Sequence, residues 1–248
     1  MKKLILMAIC TLFSYFIFAQ DYTVEQILDR VKENENIQSS ESKGSQIITT
    51  GNGKHRTLEM ISYSKDFGKS QLSIYTAPAR VAGDKILMLN DGDDIWFYTP
   101  KTDRVRHIAS SAKKQKVQGS DFSYEDMELW DYRVDFESKI LGSEKVNGTN
   151  CYKIELIPTE SGPHYSKMIV WVDKVRFVAL QYDYYENEEA IKRLSLENIK
   201  KIENHWLPLK YTMKSLTGSG YTVAESTDIK INVKLEDNMF TTNFLKQK

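Results

Sequence analysis

Apolar and polar residues alternate with a period of two along most of the chain. Leu58 and Met60, Leu72 and Ile74, and Tyr152, Ile154 and Leu156 are separated by mostly polar neighbours. The same holds for Met168, Val170, Val172; for Val178, Leu180, Tyr182; for Leu209, Tyr211, Met213; and for Ile229, Ile231, Val233, Leu235. Alternation of this kind sends successive side chains to opposite faces of a strand, and it is the pattern of an antiparallel sheet. Gly51-Asn52-Gly53, Asp91-Gly92 and Asn147-Gly148 lie between such runs and read as hairpin turns. One segment follows the helical period: Val24, Ile27, Leu28 and Val31 share a face behind a Thr23/Gln26 capping box. Two shorter helices are expected near Ser120–Trp130 and Asp237–Leu245. The chain thus reads as about ten to twelve strands against few helices, in one domain over residues 20–248 with no linker or internal repeat.

A two-residue Asp91-Gly92 turn would set Met88 opposite Ile95 and Leu87 opposite Trp96. Ile86, Met88, Ile95 and Phe97 then share one face, and Leu87, Leu89, Trp96 and Tyr98 the other. A hairpin apolar on both faces has to be covered on both. A large sheet with an apolar face also needs a second layer to bury it; with so few helices, either the sheet closes into a sandwich or barrel or an apolar cavity remains. One parity of the strands would line that cavity: Leu72, Ile74, Met88, Tyr152, Ile154, Leu156, Met168, Val170, Leu180, Tyr182, Leu194, Leu196, Tyr211, Met213, Ile231 and Val233. Their neighbours Lys153, Glu155, Gln181, Asp183, Lys210 and Lys214 are polar.

Composition narrows the class. With 34 basic and 34 acidic side chains in 248 residues, the chain lacks the basic excess of a nucleic-acid binder. Hydrophobic residues at 41 % provide for a core. Lys2 and Lys3 precede an apolar run from Leu4 to Phe18 that ends at Ala19, the layout of a cleaved export signal over residues 1–19. Cys10 falls inside that run, and Ile9 before it does not suit a lipidation site. Cys151, the other cysteine, alternates with strand residues and reads as a buried structural thiol.

Catalytic patterns are missing. His55, His107, His164 and His205 are scattered, and no HExxH, CxxC, GxSxG, Walker loop or GxGxxG occurs. No cofactor or metal is expected. Glu125, Asp126, Glu128 and Asp131 read as surface acids at a short helix. The basic run Lys113-Lys114-Gln115-Lys116 reads as a solvated loop, or as a docking patch for an anionic head group or a negatively charged partner.

Several stretches resemble the outer-membrane lipoprotein-sorting proteins, the LolA-like family. They are Gly83-Asp84-Lys85-Ile86-Leu87, Asp94-Ile95-Trp96-Phe97-Tyr98-Thr99-Pro100 with Arg104 and Arg106, Gly119-Ser120-Asp121-Phe122-Ser123-Tyr124-Glu125-Asp126, and Tyr165 to Lys167 with Trp171-Val172-Asp173-Lys174. The resemblance runs from about Tyr22 to Leu245. It implies a mainly β (α+β) fold, an open curved antiparallel half-barrel with helices as a lid over an apolar cavity. It further implies a non-enzymatic periplasmic carrier of lipoprotein or phospholipid acyl chains, working between an inner-membrane transporter and an outer-membrane acceptor. The competing expectations are a structural or adaptor subunit of an envelope transport complex with no ligand, and a hydrolase, for which no triad is found.

Overall fold

The computed structural model describes residues 22–160 and 162–247; the expected signal segment lies outside them. Thirteen antiparallel strands form one open sheet. They are β1 (Ser39–Thr50), β2 (His55–Lys65), β3 (Ser70–Ala77), β4 (Lys85–Leu89), β5 (Asp94–Thr99), β6 (Arg104–Ile108), β7 (Phe136–Val146), β8 (Thr149–Pro158), β9 (Lys167–Asp173), β10 (Ala179–Glu186), β11 (Glu189–Ile202), β12 (His205–Ser215) and β13 (Gly220–Ile231). The order β6-β5-β4-β3-β2-β1-β13-β12-β11-β10-β9-β8-β7 shows two meanders joined where β1 pairs with β13. The edges, β6 and β7, are consecutive in sequence, so residues 109–135 must carry the chain from one edge to the other. We call this connection the strap.

Thirteen strands exceed the ten to twelve expected. The period was hidden in β1, whose sequence SSESKGSQIITT offers little apolar alternation although the strand lies in the middle of the sheet. A bulge at Lys43/Gly44 adds to this. Gly44 is required there, because a Cβ would lie 2.6 Å from the Glu225 carbonyl oxygen.

The hairpin register is the one the turn dictates: Met88 pairs with Ile95, Leu87 with Trp96 and Ile86 with Phe97. Both faces are covered, by different pieces. The inner face of the sheet is the one that meets helix α1 (Val24–Glu35) and the strap. On it, Ile86, Met88 and Ile95 pack with Val117 and Tyr124 of the strap. On the outer face, Leu72, Leu87 and Tyr98 pack with Phe240 and Leu245 of the C-terminal segment, which holds a short 3₁₀ turn at Asp237–Phe240 and helix α2 (Thr242–Leu245).

Helix α1 has the expected capping box. Gln26 N–H donates to Thr23 Oγ1 at 3.3 Å, and Thr23 N–H donates to Gln26 Oε1 at 3.0 Å. Its apolar side, Ile27, Leu28 and Val31, is buried against β7–β12. The helix end is tied to the sheet by Asn34, whose Nδ2 donates to the Arg176 and Phe177 carbonyls and whose Oδ1 accepts from Trp206 N–H. Among the described residues no helix is long and apolar enough to cross a membrane.

Candidate functional site

The strap lies over the inner face, and its acids hold it there. Asp121 accepts from Thr222 Oγ1 of β13 at 2.8 Å, while its own N–H donates to the same hydroxyl oxygen at 2.9 Å. Glu125 accepts from the backbone N–H of His164 at 2.6 Å and lies 2.8 Å from that residue's Nδ1. Asp126 binds Lys192 Nζ of β11 through both oxygens at 2.6 Å, and accepts from Tyr165 and from Ser123 at 2.8 Å. Glu128 meets Lys113 Nζ at 2.7 Å within the strap. At the other side Arg56 of β2 donates to the Gln118 carbonyl, and Leu129 N–H donates to Asp91 O in the β4–β5 turn.

These acids are not the surface cluster that the sequence suggested. The side chains of Asp126 and Glu125 are 1 % and 2 % exposed. Burial makes each carboxylate depend on its partner, because an ion removed from water without a counter-ion costs several kcal/mol. Burial also raises Glu128 to about 7, with Lys113 pulling the other way. The basic run divides accordingly: Lys113 is buried on Glu128, whereas Lys114 and Lys116 are exposed.

Between the strap, α1 and strands β9–β11 lies a cavity of about 190 Å3. Its wall comes from Glu35 at the end of α1, from Glu125, Asp126, Glu128, Trp130 and Tyr132 of the strap, and from Phe136 of β7. Tyr165, Met168 of β9, Tyr182 and Tyr184 of β10, and Leu194 and Leu196 of β11 complete it. Rings make up much of this wall: Tyr182 stacks near Tyr184 at 6.2 Å, Tyr165 is tilted on Tyr184 at 4.9 Å, and the Tyr132 and Tyr182 hydroxyls are 2.8 Å apart. Burial holds the Tyr182, Tyr184 and Tyr132 hydroxyls above their ordinary range, so they stay neutral hydrogen-bonding groups. Glu35 is reached by water although protein surrounds its carboxyl, and this enclosure raises it to about 7. It therefore marks where the cavity meets solvent. Among the described residues no three His, Cys, Asp or Glu side chains converge as a metal site requires.

The cavity exceeds the roughly 150 Å3 that accepts a benzene and falls short of the roughly 300 Å3 at which drug-sized pockets begin. With the strap in place it has room for part of an acyl chain; a whole chain needs the strap to shift.

The structure sorts the residues named from the sequence. Met168, Tyr182, Leu194 and Leu196 line the cavity. Tyr152, Ile154, Leu156, Val170 and Met213 belong to the same inner-face cluster under α1. Tyr211 shares that face through its pairing with Leu196, and Ile231 lies opposite Ser40 near the end of β13. Met88 is on the inner face too, but in the separate cluster under Val117 and Tyr124. Three of the named residues are on the outer face. Leu72 and Ile74 pair with Leu87 and Lys85 and pack against the C-terminal segment. Alternation alone misplaced them because β3 and β4 are apolar on both sides. Leu180 packs with Cys151, Ile169 and Trp171 on the outer face, since a bulge between Ala179 and Gln181 reverses the parity of β10. Val233 lies beyond the end of β13. Cys151 is fully buried on the outer face, and that burial pushes its thiol up.

Glu35, Trp130, Tyr132 and Asp126 were missed as cavity residues, and Lys192 was missed as the partner of Asp126. The first three follow no strand period. The signal for Asp126 was present in the Gly119–Asp126 stretch, where acids alternate with aromatics in a segment too short to be a solvated helix.

With this geometry the class is defined: an open, curved, half-barrel sheet with a strap and helix over one face, the LolA-like fold. A domain from Vibrio parahaemolyticus described as an outer membrane lipoprotein-sorting protein superposes with a TM-score of 0.81 at 26 % identity, over 91 % of this chain and 100 % of that one. A DUF1329 family protein from Desulfovibrio piger gives 0.82 at 29 % identity, over 88 % and 96 %. A LolA superfamily protein from Nitrosomonas europaea gives 0.74 at 20 % identity, over 90 % and 100 %, a likeness of fold alone. A family model described as that of an uncharacterised protein matches residues 68–247, and the chain belongs to that family. No curated protein matches.

Proposed function

We propose that this protein is an exported, non-enzymatic carrier that holds an acyl chain of a lipoprotein or lipid between the strap and strands β9–β11. The observation that carries the reading is a cavity walled by Met168, Leu194, Leu196 and aromatic rings beneath a segment whose buried ion pairs, Asp126 with Lys192 and Glu125 with His164, accompany the apolar contacts of Phe122, Trp130 and Tyr132. Each methylene removed from water contributes about 0.8 kcal/mol, so affinity needs only an apolar wall of suitable shape. Release needs a cover that can leave, and ion pairs regain hydration when they part. A ligand-free adaptor would have this half of the inner face as filled as the half under Val117 and Tyr124. Three of the four cavity acids, Glu125, Asp126 and Glu128, are each committed to a base.

Likeness to a domain described as outer membrane lipoprotein-sorting supports a place in the cell envelope; the route we propose for the cargo runs from an inner-membrane transporter to an outer-membrane acceptor. Native mass spectrometry of the purified protein tests the reading: a co-purified lipid or acylated peptide is the expected result. A mass equal to the bare chain, together with no binding of a fluorescent fatty acid, would refute it.

A further inference from the structure

Two carboxylates in the cavity stand beside tyrosine rings, and only one of them holds an ammonium of the protein's own. Lys192 Nζ lies between the carboxylate of Asp126 and two rings, 4.8 Å from the centre of Tyr165 and 5.1 Å from that of Tyr184. An ammonium so placed gains from the negative ring faces as well as from the carboxylate. Across the cavity Glu35 is a second carboxylate beside tyrosine, met there at the hydroxyl, with the Tyr132 and Tyr182 rings in the same cavity wall. Its Oε1 accepts from the Tyr132 hydroxyl at 3.5 Å, and that hydroxyl lies 2.8 Å from the hydroxyl of Tyr182. The rings of Tyr132 and Trp130 stand 6.2 Å and 6.4 Å from Phe136, which makes a continuous aromatic wall beside the carboxylate. Among the described residues Glu35 makes no ion pair at contact distance. Lys32, whose charge acts on it, instead points Nζ at the Trp130 carbonyl at 3.5 Å and is not part of the cavity wall.

We infer that Glu35, Tyr132, Tyr182 and Trp130 form a binding site for an organic ammonium group at the mouth of the cavity, so that cargo is recognised by a cationic head as well as by its chain. The position of Glu35 suits this role, because it lies where the cavity meets water and a polar head would remain there while the chain points inward. The identity of the cargo rests on the carrier reading; the site itself does not.

Choline and its neutral carbon isostere 3,3-dimethylbutanol separate charge from shape, and both are small enough for the closed cavity. Ligand-observed NMR or calorimetry on the wild-type protein at pH 8, above the raised value of about 7 so that Glu35 is ionised, should show choline binding at least ~10-fold more tightly than the alcohol. Glu35→Gln should remove that preference while leaving the weak binding of the alcohol unchanged. Tyr132→Leu should weaken choline more than the alcohol, and Tyr132→Phe, which keeps the ring, should retain most of the preference. Equal binding of the two probes, or a preference that survives Glu35→Gln, would overturn the inference. A fluorescent fatty acid titrated into the same samples separates the two proposals. Fatty-acid binding without a choline preference leaves the carrier reading standing and removes the ammonium site. A Glu35-dependent choline preference without fatty-acid binding does the reverse.

Discussion

The inner face of the sheet has two halves built on different principles. Under β1–β6 the space is filled by Ile48, Leu58, Tyr75, Ile86, Met88 and Ile95, with Val117 and Tyr124 of the strap inserted as further core residues. Over β9–β11 the same strap is held by Asp126 on Lys192 and Glu125 on His164 beside the contacts of Phe122, Trp130 and Tyr132, and a cavity remains beneath it. The first arrangement resists opening, because parting it would expose apolar surface at roughly 25 cal/mol per Å2. In the second, water replaces each partner when the pairs separate, and the net strength of a buried pair is small next to the cost of removing one member. One segment thus has a part packed as core and a part tied by ion pairs over a cavity. On the reading proposed above, cargo belongs to the β9–β11 half and structural integrity to the other.

The largest expected effect lies in the filled half. Leu58 is fully buried, and Leu58→Ala should cost about 3–4 kcal/mol in chemical denaturation by lost transfer energy and a new cavity. Fatty-acid binding by the protein that remains folded should be unchanged; a loss of affinity would show that the halves are not separate. Next is Asp126→Asn, which keeps acceptors for Tyr165 and Ser123 but leaves the Lys192 ammonium without its counter-charge. We expect a loss of about 2–3 kcal/mol, roughly 5–10 °C in melting temperature. Hydrogen exchange should rise in residues 125–132 more than in residues 117–124 or the strands; a uniform rise would deny this part of the strap its independent motion.

Leu196→Ala enlarges the cavity from a half-buried position. It should cost only about 1 kcal/mol in stability while shifting the preferred fatty-acid chain length upward, measured across a series of chain lengths. The smallest effect is a pH dependence. Enclosure raises folded Glu35 to about 7 from an ordinary 4.5, so the folded form holds its proton where the unfolded form has lost it. That contribution is present below the lower value and is lost as pH rises through the upper one. Wild-type protein should therefore lose melting temperature relative to Glu35→Gln between pH 5 and pH 8. A difference that is constant with pH would place Glu35 in plain solvent.

Much of the fold was legible because a sheet writes its faces into the sequence. The Asp91-Gly92 turn fixed a register that put Met88 against Ile95, and the Thr23/Gln26 box marked the start of α1. Legibility failed where the physical signal was absent or doubled. In β1 the run SSESKGSQIITT has almost no period, yet neighbours on both sides hold it. In β3 and β4 both parities are apolar, so Leu72 and Ile74 gave no sign of which layer would cover them. In β10 a bulge exchanged the faces of Leu180 and Ala179, and no turn residue announces it. The site was harder still. The strap contributes through acids that look solvated until their partners arrive from parts distant in sequence, His164 from the β8–β9 connection and Lys192 from β11.

The central claim is that the strap is the movable cover of an acyl-binding cavity. Glu125, in the ion-paired part of the strap, already accepts from the backbone N–H of His164 at 2.6 Å, so Glu125→Cys combined with His164→Cys would join that part to the β8–β9 connection by a bridge that a reductant can open. Binding of a sixteen-carbon fluorescent fatty acid is then measured on one sample, oxidised and then reduced, with bridge formation verified by mass. The account predicts that affinity falls at least ~10-fold when the bridge is closed and returns on reduction. Equal affinity in the two states would mean that cargo, if bound, does not enter beneath the strap.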